Sequence, residues 1–315
     1  MAAIFVTGAG GFIGSEFVRH ALAAQYQVYG LARSEGSAQR LQKAGVVPVL
    51  GDLSRPDSWR QVMAGCEMVV HLAQPDTYGA RITLERARNY GAKRLEMDKA
   101  LLNGLDRGWV QRVVIVCGTS YYGHQGAELR GEETAPNPKG WGPYIAPAIE
   151  ALKGFVAQGY PIVEAYPGWV YGPGSWFAEY QLQPLAKRRP VVGLAGRPKI
   201  VSPIHVEDCA RGLLFLLQNG AIGQRYFIVD DQAGPSIEMV RTAAQALGVP
   251  MRTLALPRFL CELAVGPIIT ESLTCDFHLS NQRLKSLGFK LSFPDISTGI
   301  PDVVRRWQAA SANPA

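Results

Sequence analysis

Apolar and polar positions alternate in two different periods along the first half of the chain. An apolar run closing on Phe5-Val6-Thr7 reads as a strand, and Glu16 to Ala24 carries its apolar members at helical spacing, with the helix opening near Ser15. Short apolar runs recur at Val28 to Leu31, Val46 to Leu50, Met68 to Leu72 and Val113 to Val116, and Ala100 to Leu105 closes a helix between the last two. Strands separated by helices pair in parallel, so the pattern predicts an α/β fold: a Rossmann-type doubly wound parallel sheet with helices on both faces. In such sheets ligands bind beyond the carboxyl ends of the strands, here Thr7-Gly8, Ala32-Arg33, Asp52, Ala73 and Gly118 to Ser120.

The turn after the first strand is T-G-A-G-G-F-I-G, Thr7 to Gly14. Gly8 allows the tight turn, Gly11 lets backbone N–H groups approach an anion without a Cβ in the way, and Gly14 lets helix and strand pack closely. The helix N-terminus favours negative charge, so a dinucleotide pyrophosphate fits there.

Past residue 165 the texture changes. Prolines and glycines from Pro167 to Pro203 punctuate a loop-rich stretch, before a helix at Val206 to Leu217, a strand at Arg225 to Val229 and a helix at Ile237 to Leu247. The expected division is a dinucleotide-binding domain over residues 1–165, completed by about 204–230, and a smaller, loop-rich C-terminal substrate lobe over 166–203 and 231–315.

With 315 residues and 47% hydrophobic content, the chain can bury a full core. No apolar run reaches the roughly 18 to 20 residues of a membrane span, and the chain opens directly on a strand, so the expected address is the cytoplasm. The cysteines, Cys66, Cys117, Cys209, Cys261 and Cys275, lack paired metal-ligand spacing; they read as reduced, structural thiols, and no metal is expected. A net charge of +6 is dispersed apart from Arg81 to Arg94 and Lys187 to Arg189. Neither run is interleaved with stacking aromatics, so each reads as a solvated face rather than a nucleic-acid groove.

The order of motifs resembles the extended short-chain dehydrogenase/reductase superfamily, in the branch of nucleotide-sugar epimerases, dehydratases and 3β-hydroxysteroid-dehydrogenase-like reductases. The residues that carry the resemblance are Thr7 to Gly14, G-D-L at Gly51 to Leu53, H-L-A at His71 to Ala73, Y-Y-G at Tyr121 to Gly123, Tyr144, P-G-W-V-Y-G-P-G at Pro167 to Gly174, H-V-E-D at His205 to Asp208 and L-G-F at Leu287 to Phe289. The resemblance implies a nicotinamide cofactor held by Thr7, Gly8, Gly11, Phe12, Ile13, Gly14, Arg33, Asp52, Leu53, Ala73, Pro167 and Gly168. An acidic residue at the second strand's tip would bind the ribose hydroxyls and repel a 2′-phosphate; the tip here is Ala32-Arg33, so NADP(H) is preferred over NAD(H), with Arg33 and Arg40 as phosphate ligands. Asp52 resembles the family's contact to the adenine edge, with capping of the helix after Leu53 as its structural alternative. The family also implies a homodimer through helices around the fourth and fifth strands.

The catalytic pattern departs from the family. Its Tyr and the Lys four residues later share one helix face; here Tyr144 is present and the later position is Ala148. The helper Ser/Thr position falls on Gly118, beside Thr119 and Ser120, and the N-x-x-G pattern before the fifth strand is replaced by Arg94 and Met97. An unassisted phenol keeps a pKa near 10, so Tyr144 can donate a proton but is a poor base, which tilts the reading toward reduction. The expected enzyme is an NADPH-dependent reductase of a small apolar or aromatic carbonyl or activated alkene, with Tyr144, Thr119 and Ser120 as catalytic candidates. Tyr122, His124, Trp169, Trp176 and Phe177 are the substrate-pocket candidates, with core packing as the alternative for the aromatics. Arg197, Lys199 and Arg211 are the basic residues that could contribute to a diphosphate clamp. The rival reading is a non-redox protein on the same scaffold: an NADP(H)-binding sensor or assembly subunit, or a lyase or cyclase that no longer transfers hydride.

Overall fold

The computed structural model describes residues 2–76 and 81–312. Within the first strand, Ile4 and Val6 enter a hydrophobic cluster on one side of the sheet and Phe5 enters the cluster on the other, as the two-residue period of a strand requires. Seven strands follow this logic: β1 (Ala3–Thr7), β2 (Gln27–Ala32), β3 (Val47–Leu50), β4 (Met68–His71), β5 (Arg112–Val116), β6 (Ile162–Pro167) and β7 (Arg225–Ile228). They form one parallel sheet in the order β7-β6-β5-β4-β1-β2-β3. The strand order reverses between β1 and β4, and the crevice beyond their carboxyl ends is where such a sheet holds ligands.

Helices α1 (Phe12–Ala23) and α2 (Glu35–Lys43) and the helix Val206–Asn219 cover the face that includes Ile4 and Val6; Cys209, Leu213 and Leu217 from the last of these are buried there. The other face is covered by α3 (Arg60–Ala64), α4 (Leu84–Asn103) and α5 (Gly142–Ala157), with Trp59, Leu101, Ile149 and Leu152 packed on Phe5, Val69 and Val113. Burying each such large apolar side chain contributes about 1.5–3 kcal/mol. A third cluster unites Tyr171, Phe177 and Leu182 with the helices Ser236–Leu247 and Ile296–Ala312.

Four expectations change. Helix α1 begins at Phe12 rather than near Ser15, because Gly11 serves as its N-cap. Strand β6, which the sequence pattern does not announce, has all its positions buried, Glu164 included. Arg94, the end of the arginine run read as solvated, is only 5% exposed. Asp52 does not cap a helix: its Oδ1 accepts from the Ser54 N–H at 2.8 Å and the Ser54 hydroxyl at 2.6 Å, closing a turn and holding the carboxyl below its ordinary value.

Cys66, Cys117, Cys209, Cys261 and Cys275 are free thiols, and all are buried. Among the described residues no helix is long and apolar enough to cross a membrane.

Candidate active site

The glycine turn is shaped as its sequence demands. Gly8 has φ +73°, and a Cβ there would stand 2.8 Å from the Ala73 backbone nitrogen; a Cβ on Gly14 would stand 2.0 Å from the Gly8 carbonyl oxygen. Helix α1 opens on Gly11 with no side chain capping it, so the N–H groups of its first turn, at Phe12, Ile13 and Gly14, face the mouth of the turn without a capping acceptor. That is an anion cradle bounded by the tips of β1 and β4, and it fits a dinucleotide pyrophosphate.

Beneath the cradle lies a buried polar chain. Thr7 Oγ1 is 2.6 Å from His71 Nδ1, His71 Nε2 is 2.8 Å from Asp98 Oδ1, and Arg94 Nε donates to the same Asp98 oxygen at 2.6 Å. Arg94 also donates to the Val116 carbonyl at 3.0 Å, and Thr7 Oγ1 accepts the Ala73 N–H at 3.2 Å. Burial opposes the Asp98 charge, but the Arg94 guanidinium and the His71 hydrogen bond outweigh it and hold the carboxyl below its usual range. Burial likewise pushes the His71 pKa down, with Asp98 only partly offsetting it. With Asp98 ionised and His71 neutral, Nε2–H donates to Asp98 and the Thr7 hydroxyl donates to Nδ1, leaving Thr7 to accept from Ala73. Arg94 thus ties the tips of β1, β4 and β5 to α4 from the position where the resemblance expects an asparagine.

A cleft of ≈ 360 Å³ opens beyond β5 and β6, with Gly118, Thr119, Ser120, Pro167, Gly168 and Trp169 in its wall. Gly168 and Trp169 also border a second cavity of ≈ 560 Å³, which reaches Phe12 at the start of α1 and Trp176. The two cavities together run from the cradle to the tips of β5 and β6. Ser120, Thr119 and Trp169 border the first cleft, and Trp176 borders the second cavity, its indole donating to the Val170 carbonyl at 2.9 Å.

Other candidates are elsewhere. Tyr122 is fully buried among Tyr121, Tyr166 and Phe227 and donates to the Glu132 carbonyl at 3.1 Å, so it is core. Phe177 is also fully buried, in the C-terminal cluster. His124 accepts the Asp276 N–H on Nδ1 at 3.0 Å and braces a loop. Tyr144 packs in a small apolar cluster with Ile82, Ala87 and Ile268 and is not in the cleft wall. Its helical neighbour Ala148 is buried, so nothing at that position offers the ammonium the resemblance expects. Leu53 is buried beside Trp59, and Arg33 pairs with Asp76 at 2.9 Å. Arg197 is held by Asp276, and Arg211 by Asp208 and by the Ser292 hydroxyl at 2.6 Å, so both brace loops. Lys199, which the sequence offers only as one of three basic residues, is in the cleft wall.

A parallel sheet with this strand order, an anion cradle at its first turn and a cleft beside it defines a dinucleotide-binding enzyme scaffold. The chain belongs to the NAD dependent epimerase/dehydratase family, whose model matches residues 4–228. It is 30% identical over 250 residues to an uncharacterized protein of Schizosaccharomyces pombe, covering 79% of this chain and 81% of that one. It is 27% identical over 230 residues to the 4-hydroxy-2-methyl-3-oxo-4-farnesyl-3,4-dihydroquinoline-1-oxide ketoreductase of Stigmatella aurantiaca, covering 72% of this chain and 67% of the relative. Among solved structures, Thermus thermophilus UDP-glucose 4-epimerase in complex with NAD superposes with a TM-score of 0.81 at 21% identity, covering 98% and 99% of the two chains. Human epimerase family protein SDR39U1 with NADPH gives 0.78 at 19% identity, covering 96% and 99%. These two likenesses establish the shared fold.

Proposed function

We propose that this chain is a reductase that uses NADPH ahead of NADH on a small carbonyl or activated-alkene compound with an apolar or aromatic body. The observation that carries the reading is that a cavity reaching Phe12, beside the glycine cradle, and a cleft walled in part by Thr119 and Ser120 meet at Gly168 and Trp169, while among the described residues no tyrosine lines either. The family's nicotinamide supplies hydride when bound. Thr7, Gly8, Phe12, Ile13 and Gly14 would hold its pyrophosphate, and Gly168 and Pro167 border the space beyond. Thr119 and Ser120 orient the substrate oxygen by donating hydrogen bonds to it. Hydride addition to a carbonyl leaves an alkoxide, which the two hydroxyls steady and which takes its proton from water entering the cleft, so reduction requires no protein base, whereas oxidising an alcohol would. The ketoreductase of Stigmatella aurantiaca is consistent with that direction.

NADPH preference rests on Arg33. Arg33 grips Asp76 through both guanidinium nitrogens, at 2.9 Å and 3.3 Å, so a 2′-phosphate has to displace that carboxylate; its greater charge and third acceptor oxygen favour the exchange. Fluorescence titration with NADPH and NADH tests this. Arg33→Ala weakens NADPH binding by roughly 10- to 100-fold and leaves NADH within about threefold, whereas Asp76→Ala strengthens NADPH. Equal affinities in the unaltered protein would remove the preference. Oxidation of NADPH by aromatic ketones or enones, lost in Thr119→Ala/Ser120→Ala while NADPH binding persists, separates the reductase from a scaffold that binds the dinucleotide without transferring hydride.

A further inference from the structure

Lys199 precedes the short strand Ile200–Val201 and is only 6% exposed. Its Nζ lies 3.6 Å from the centre of the Trp169 ring and donates to the Ser272 carbonyl at 3.2 Å. A buried ammonium is ordinarily paired with a carboxylate. Here none of the described carboxylates is within 4.0 Å of it, and the nearby Asp276 is already committed, with Oδ1 accepting the Ile200 N–H at 2.7 Å and Oδ2 holding Arg197. Among the described residues the cleft wall contains a second cation, Lys139, and no Asp or Glu; the remainder is largely apolar, with Trp141, Leu273 and Phe277 among its members. A dehydrated lysine lacking a protein counter-ion, in a wall without acids, is matched by an anion arriving with the ligand.

We propose that this cleft recognises a compound with an oxyanion at one end, which Lys199 binds, and an apolar body that lies against Trp169, Trp141 and Phe277. The inference rests on the reductase reading for the reaction, naming its substrate class, but not for the binding. Its physical consequence concerns protonation. Burial pushes the Lys199 pKa down to about 7, with Cys275 and Asp276 offsetting only part of the shift. Lys139 and Arg197 add positive charge on neighbouring segments, and the Cys275 thiol, raised by burial, stays neutral there. A bound oxyanion favours the ammonium, so affinity is full below the lysine's pKa and falls as pH rises through about 7.

Titration calorimetry on the full chain, with phenylbutyrate, phenethyl phosphate and the neutral phenylbutyramide, tests the idea across neutral pH. The expected result is binding of at least one anion about tenfold tighter than the amide below neutrality, weakening on alkalinisation; the tighter of the two anions tells a carboxylate site from a phosphate site. Lys199→Met removes the preference and leaves the amide unchanged. The same variant does not lower the unfolding midpoint, because it replaces an uncompensated ammonium with an apolar chain of similar length. Equal binding of anions and amide, no binding of any probe, or a preference that survives in Lys199→Met would overturn the proposal, and should that variant not fold, the pH dependence in the unaltered chain decides. Loss of NADPH oxidation with the anion preference intact would sink the reductase reading alone.

Discussion

Replacing Arg94 by methionine keeps the length of the side chain and removes the guanidinium from a site where both partners are almost wholly buried. Two acceptors lose their donor: Asp98 Oδ1, bonded at 2.6 Å, and the Val116 carbonyl, bonded at 3.0 Å. Leaving one member of a buried ion pair uncompensated costs about 3–5 kcal/mol, a large share of the roughly 5–15 kcal/mol that holds a domain folded. Urea unfolding at pH 7 is therefore expected to show a loss of about 3–5 kcal/mol for Arg94→Met and a similar loss for Asp98→Leu. The double variant should lose at least about 1 kcal/mol less than the sum, because it no longer buries a lone charge. Acid provides a second readout. In the unaltered protein the Asp98 pKa is depressed, so its stabilisation is present above the unfolded value near 4 and disappears only as pH falls through the lower folded value. Without Arg94, burial raises that pKa, and the variant can take up a proton in the folded state. The penalty of Arg94→Met should thus shrink between pH 7 and about pH 4. A loss below about 1 kcal/mol, or a penalty that grows on acidification, would refute the account of the network.

Three further outcomes follow from the same geometry. Gly14→Ala places its Cβ 2.0 Å from the Gly8 carbonyl, so it should displace α1 and weaken dinucleotide binding by at least about tenfold in a fluorescence titration. Ala148→Lys should not restore a phenol–ammonium pair: the position is almost wholly buried and Tyr144 packs among Ile82, Ala87 and Ile268, so the variant buries an uncompensated ammonium and is expected to lose about 1–3 kcal/mol in denaturant unfolding with no gain in turnover. His205 is fully buried, and burial pushes its pKa down to about 4, so the unfolded chain takes up a proton near pH 6.5 that the folded chain refuses; stability should fall between about pH 6.5 and pH 4, and His205→Asn should flatten that decline.

The strands were legible wherever an unbroken apolar run marks a segment buried on both faces of the sheet, as in β1 and β5. Strand β6 escaped because Glu164 breaks its apolar run after two residues, although that glutamate is itself buried. Helix α4 was visible only near its carboxyl end; its first turns are dense in arginine and read as surface, although Arg94 turns inward to Asp98, four residues on, and to the Val116 carbonyl at the end of β5. The cradle was readable because glycine is demanded by backbone geometry that no other residue satisfies. The cleft was readable only in part. The aromatic stretch after Pro167 announces rings, but not which of them faces space: Trp169 and Trp176 border cavities while Phe177, one residue on, is core. Lys199 carried no local signal, since what distinguishes it is the absence of a carboxylate contributed by distant segments.

Trp169 belongs to the wall of both cavities, and Lys199 packs on its face. A single indole thus works as a shared partition. Trimming it to admit a bulkier guest would also open the neighbouring chamber and strip the lysine of its aromatic support, so a change of guest size in this scaffold has to be accommodated on the far side, at Ile269, Leu273 or Phe277.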